Sequence, residues 1–188
     1  MALREILIWP DPRLKHKAKP VGDVDAAVRK LCDDMAETMY AANGVGLAAP
    51  QIGVLQNIIA VDVEQRAAEG EEPKKKGEGL FWLINPVLKL GEGEFVYTEG
   101  CLSIPDEYEE VTRFGHIVVE FTGRDGKRQK LEASSTLLSV CVQHEMDHLQ
   151  GKLFVDHLSA LKRELIRRRM KKLKSQRAAE AAGNATAL

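Results

Sequence analysis

The chain has 188 residues, 44% hydrophobic and 29% charged, with a net charge of −1, which describes a soluble chain of one domain with a substantial core. No apolar stretch approaches the ~20 residues of a membrane span, and the apolar run at 6–9 stops at Pro10-Asp11-Pro12, too short for a secretory signal. Three cysteines do not make a disulfide framework, so a reducing cytoplasm is expected.

Residues 10–21 contain three prolines and lead into Gly22, which reads as loop. The spacing of Val28, Leu31, Met35 and Met39 predicts a helix over 25–42, with Asp23 or Asp25 as its cap and Asn43-Gly44 as its end. Isoleucine and valine predict a strand at 57–63. Residues 65–79 are charged and glycine-punctuated, and read as a mobile surface insertion. Further strands are predicted at 81–84, 87–90, 95–97, 110–113, 116–122 and 129–133, with Gly123-Arg124-Asp125-Gly126 as a hairpin turn. A second helix begins at Ser134 or Ser135 and runs to about Gln150, with Gly151 as its stop. Leu158, Leu161, Leu165, Met170 and Leu173 mark a third, amphipathic helix with basic flanks. The expected fold is α+β: antiparallel β-sheets packed around a central motif-bearing helix, with N-terminal and C-terminal helices. Residues 1–173 form the domain, and 174–188 read as an unordered tail.

The chemistry concentrates in Gln143-His144-Glu145-Met146-Asp147-His148. Histidines at i and i+4 leave one helical face about a turn apart, close enough to grip one cation. Glu145 stands beside the first of them, as a general base on water activated by that cation. Catalytic sites of this kind hold three protein ligands, so one is missing. The downstream metalloprotease pattern places Gly151 correctly but puts Phe154 where its histidine belongs, and His157 reads as a surface or capping residue. Cys141 shares the ligand face, yet seven residues at ~1.5 Å rise set it about 10.5 Å along the axis from His148. Cys32 falls within the first predicted helix and reads as core. Cys101, in Glu99-Gly100-Cys101-Leu102-Ser103, is therefore the third ligand. Thiolate with two imidazoles favours zinc or iron over magnesium or calcium.

These residues resemble the peptide deformylase family, whose three motifs appear in order. They are Gly44-Val45-Gly46-Leu47-Ala48-Ala49-Pro50-Gln51, then the Cys101 segment, then the His144 segment. The resemblance implies an enzyme that removes the N-formyl group from the formylmethionine of nascent peptides and releases formate. It implies one divalent ion, Fe2+ foremost, with Ni2+, Co2+ or Zn2+ as alternatives. It also implies that the Gln51 side-chain amide and the Leu102 backbone N–H stabilise the oxyanion.

Leu137, Val140 and Cys141 precede His144 on the ligand-bearing face, and with Val45 they are candidates for the methionine pocket wall. Gly44 and Gly46 belong to a small-residue run that would let a peptide approach the main chain. Glu99 and Asp147 could each pair with Arg113 or orient a histidine N–H. Between Ala160 and Arg177 nine Lys or Arg face one Glu, a local +8 that suggests contact with phosphates. In related bacterial deformylases this helix helps bind the ribosome, which is the partner the resemblance implies. A zinc metallopeptidase and a ribosome-binding module with a structural metal are the competing readings. The first lacks its downstream histidine and the second lacks a clear fourth ligand.

Overall fold

In the computed structural model, which describes residues 2–66 and 74–185, the Asp25 side chain accepts from the Val28 N–H and starts helix α1, Ala26–Ala41. Val28, Cys32, Met35 and Met39 are buried on one face of it. The helix closes where Asn43 takes a φ of 55° and the Gly44 N–H returns to the Met39 carbonyl at 2.9 Å.

Seven strands follow among the described residues: β1 Gly46–Ala48, β2 Ile58–Val61, β3 Phe81–Glu92, β4 Phe95–Cys101, β5 Ile104–Arg113, β6 His116–Thr122 and β7 Arg128–Ser134. Five of them form one sheet in the order β1-β2-β3-β6-β7, while β4 and β5 pair as a separate ribbon. Every pairing is antiparallel. The motif helix α2, Leu137–Leu149, starts at Thr136, whose hydroxyl accepts from the Ser139 N–H at 3.3 Å. Helix α3 spans Ala160–Ala185.

Strand β2 shows why the layers stack as they do. Its Ile58 and Ala60 pack with α1, and Ile59 and Val61 pack with Cys141, Val142 and Leu149 of α2. Alternation along one strand thus serves two helices, one on each face of the sheet. A third apolar cluster joins Ile166 and Met170 of α3 to Ile104 and Val111 of β5, with Phe154 and a partly buried Cys101. Ion pairs from Lys162 to Glu109 (2.7 Å) and from Arg169 to Glu107 (2.6 Å) fasten α3 to the same ribbon. No helix among the described residues is long and apolar enough to cross a membrane.

Several boundaries differ from the sequence reading. The strands expected at 81–84 and 87–90 are one strand with an irregularity, because Asn85 has a φ of 52° and Pro86 has no N–H for the ladder. No strand is expected within the small-residue run of the first motif, yet Gly46–Ala48 form β1, with all three residues buried and paired with β2. β5 begins at Ile104 rather than 110, and its Glu107 and Glu109, on the same face as Val111, carry the ion pairs to α3. Helix α2 starts after Ser134 and Ser135, since Ser134 still belongs to β7 and Ser135 has a φ of 45°. At the C-terminus, where an unordered tail is expected over 174–188, α3 continues to Ala185, its residues 174–182 mostly alanine, lysine, arginine, glutamine and glutamate, which are strong helix formers; 186–188 lie outside the described residues. The centre of the insertion read as mobile, 67–73, lies outside the described residues. Its flanks are tied down, with Gln65 donating to the Gly44 carbonyl at 2.8 Å and the Gly77 N–H to Asp62 at 3.0 Å.

Candidate metal centre

Two elements bring three ligand atoms together. Cys101 ends β4 at the tip of the ribbon, paired across the turn with Ile104, while His144 and His148 project from α2. The donor atoms of Cys101, His144 and His148 all lie within 4.8 Å of one another. Cys101 Sγ stands 3.3 Å from His148 Nε2, and the two imidazole centroids are 5.0 Å apart. Bonds of ~2.0 Å to nitrogen and ~2.3 Å to sulfur around a tetrahedral ion set donors about 3.3–3.5 Å apart, so a transition metal fits this cluster. Cys141 stays out of it: its thiol donates to the Val45 carbonyl at 3.7 Å.

Glu145 is buried beside the first histidine, and its Oε2 has no hydrogen-bond partner among the described residues. An isolated buried carboxylate oxygen is costly, so this atom requires a further group in the site. Burial pushes the Glu145 carboxyl up to about 7, with Glu99 adding to the rise. Burial also drives His148 well below the ordinary histidine value, which leaves its imidazole neutral, as a metal ligand must be. At His144 burial acts the same way but is outweighed. Cys101 and Glu99 push that imidazole well above its ordinary value.

Behind the ligands lies a ladder of charges. Glu99 Oε2 is 2.7 Å from His144 Nδ1, leaving Nε2 of that ring for a metal. Arg113 donates to Glu99 through Nε at 2.6 Å and Nη2 at 2.9 Å, and to Asp147 through Nη1 at 2.6 Å. Burial would raise Glu99, but Arg113 and His144 outweigh it and hold the carboxyl at about 2. Glu99 and Asp147, left open between two roles in the sequence, both pair with Arg113, and Glu99 also contacts the histidine.

A groove of about 1130 Å³ opens over the site. Its walls include every residue expected in the pocket, Gly44, Val45, Gly46, Leu137, Val140 and Cys141, together with Cys101, Leu102, His144 and Glu145. Gln51 and His148 do not line it. Gln51 is buried below: its Oε1 accepts from the Ala48 N–H at 2.8 Å, and its Nε2 donates to Ser103 at 3.2 Å and faces Cys101 Sγ at 3.6 Å. The two glycines of the first motif are crowded by side chains of the other motifs. A Cβ on Gly46 would stand 2.5 Å from Glu145 Oε1, and one on Gly44 would stand 2.6 Å from Leu102 Cδ1.

Residues 3–164 match the family model described as polypeptide deformylase. The chain belongs to the polypeptide deformylase family. A peptide deformylase from Agrobacterium fabrum is 50% identical over 167 residues, 88% of this chain and 93% of its own. One from Nitrosococcus oceani is 45% identical over 172 residues, 92% of this chain and 96% of its own. The crystal structure of a peptide deformylase from Legionella pneumophila superposes with a TM-score of 0.83 at 42% identity, covering 94% of this chain and 98% of that one. The Ehrlichia chaffeensis deformylase in complex with actinonin reaches 0.82 at 36% identity, covering 92% and 98%. Deformylase membership makes the chain an enzyme and removes support from the metallopeptidase and binding-module readings.

Four neighbours of the site escaped the sequence reading: Ser103 under Gln51, Phe154 stacked 6.3 Å from the His144 ring, His157 against Asp147, and Tyr97 on the groove wall. Ser103 lies within the Cys101 motif and Phe154 where the metalloprotease pattern has its histidine, but only the tertiary fold shows what any of the four touches.

Proposed function

We propose that this chain hydrolyses the N-formyl group of formylmethionyl nascent peptides to formate and a free amino terminus. The observation that carries this reading is the buried, unpartnered Glu145 Oε2 beside the Cys101, His144 and His148 donors, at the floor of an open groove. Those three residues would hold the metal, which would supply Lewis-acid charge and lower the pKa of water. Glu145 takes a proton from the attacking water and delivers it to the amine nitrogen as the formyl C–N bond breaks. The Gln51 amide and the Leu102 N–H donate to the oxygen that becomes negative at the formyl carbon. Gln51 enters that role already anchored, since its own oxygen is held by the Ala48 N–H. Leu137, Val140, Cys141 and Val45 form the apolar wall for the methionine side chain, and Gly44 and Gly46 leave the main chain open to the peptide.

Iron as Fe2+ is the proposed native ion, with Ni2+, Co2+ or Zn2+ able to use the same thiolate–imidazole set. A reducing cytoplasm suits that thiolate. The ribosome is the proposed docking partner of α3. Lys171 and Lys172 are exposed there with no ion pair among the described residues, whereas Arg167 and Arg168 pair with Glu164 and Arg169 with Glu107.

Anaerobic assay of formyl-Met-Ala-Ser against its unformylated and internally cleavable counterparts tests the reading. Formate release from the formylated peptide alone is expected; peptide-bond cleavage, or no reaction, would reject it.

A further inference from the structure

Just past α2 the chain turns at Gly151, at a φ of 71°, where any Cβ would stand 2.4 Å from the Lys15 carbonyl oxygen. A 3-10 turn, Phe154–His157, then carries the chain back against the metal centre. The turn is pinned at both sides: Asp156 pairs with Lys15 and accepts from the Leu153 N–H at 2.8 Å. It returns two side chains to the site. Phe154 is fully buried and stacks on His144, while His157 Nε2 lies 2.7 Å from Asp147 Oδ2.

That same Asp147 oxygen accepts from Arg113 Nη1. Arg113 has only donors, and its Nη1 stands 3.4 Å from His157 Nε2, so both nitrogens aim at one carboxylate oxygen between them. His157 Nε2 must therefore carry a hydrogen. Following the ladder inward, Arg113 forks onto Glu99, and Glu99 holds His144 Nδ1. Arg113 and Glu99 are almost fully buried, and among the described residues these are the side chains that hold them. Asp147 is the one carboxylate of the ladder with access to water, its side chain 19% exposed.

We propose that His157 is a positioning residue for the metal site. Its Nε2–H keeps Asp147 turned toward Arg113, which fixes the guanidinium fork on Glu99 and so the ring angle of His144. Without that donor Asp147 can rotate to solvent, and Arg113 loses its second carboxylate. The inference rests on the reading of Cys101, His144 and His148 as metal ligands. Loss of a partner one step behind a ligand costs ~10–100-fold in metal affinity, and His157 stands further out, so an effect of about 10-fold is expected.

The test uses the full chain loaded with Co2+, whose visible absorption reports ligand geometry. Release to a chelator, the absorption spectrum, and kcat and KM on formyl-Met-Ala-Ser are measured for the unsubstituted protein, His157→Leu and His157→Gln. The glutamine amide can place a donor where Nε2 stands. His157→Leu is expected to release Co2+ about 10-fold faster, with a shifted spectrum and a lower kcat at unchanged KM. His157→Gln is expected to restore all three. Release from His157→Leu at the unsubstituted rate overturns the proposal, and so does a glutamine variant as impaired as the leucine one. Should His157→Leu not fold, His157→Asn replaces it, since its amide stops short of Asp147; equal behaviour of Asn and Gln then overturns the idea. Failure of the unsubstituted protein to bind Co2+ would instead overturn the metal reading itself.

Discussion

Gly46→Ala is the substitution whose consequence the site specifies most tightly. The added Cβ would lie 2.5 Å from Glu145 Oε1 and 2.6 Å from Cys141 Sγ, so the neighbours must retreat by about 1 Å to reach ordinary contact. Overpacking of a buried site costs ~1–3 kcal/mol. For a chain of this size each kcal/mol lowers Tm by ~2–4 °C, giving a fall of roughly 2–12 °C. The catalytic loss should be larger than that suggests, because a 1 Å displacement of a reacting group costs on the order of 10²-fold. Steady-state formate release, Tm and metal content separate the two effects. The variant should keep its metal, since neither contact is a ligand atom, while kcat falls about 10²-fold. Adding Cys141→Ala removes one of the two clashes; it should recover Tm but little of kcat, because the contact with Glu145 remains. A Gly46→Ala enzyme within two- or threefold of full kcat would refute the claim that Glu145 acts from this position.

At Val140, buried on the groove wall, Val140→Phe should shift preference toward a smaller first side chain; unchanged selectivity across formyl-Met, formyl-Leu and formyl-Ala peptides would remove it from the pocket. Lys171→Glu with Lys172→Glu should weaken ribosome binding and flatten its salt dependence, with activity on short peptides intact; unaltered binding would reject α3 as the contact. Asp11 supplies a pH test. The Arg13 side-chain hydrogen bond is the main cause that brings its carboxyl down to about 2, from an ordinary 3.8. Its folded-state pKa is depressed, so its contribution is full above the unfolded value and is lost as pH falls through about 4 toward 2. The stability difference between the unsubstituted protein and Asp11→Asn should therefore shrink over that window; a difference independent of pH would contradict it.

The ligand cluster was readable because its constraints are local or arithmetic. Helical spacing joins His144 to His148, and helical rise removes Cys141, which leaves Cys101 to arrive from a strand end. The caps of α1 and the glycine stop of α2 follow from side-chain chemistry a few residues away. What could not be read depends on distant partners. Gly46-Leu47-Ala48 has little strand propensity of its own and becomes β1 because β2 offers a buried ladder. Residues 104–109 look like a charged loop, yet they extend β5 because α3 supplies partners for Glu107 and Glu109. His157 lacks any ligand pattern, and its contact with Asp147 exists only because the turn after Gly151 folds back. The first-motif glycines were read as room for a peptide; the structure adds that Leu102 and Glu145 already press against them.

In the proposed reaction Glu145 moves the proton at a Cys101–His144–His148 metal site. The most direct test is formate release from formyl-Met-Ala-Ser by Glu145→Ala, with metal content determined on the same sample. A rate lower by ~10²–10⁴-fold with the metal still bound is expected. Activity near that of the unsubstituted enzyme, at equal metal content, would contradict it.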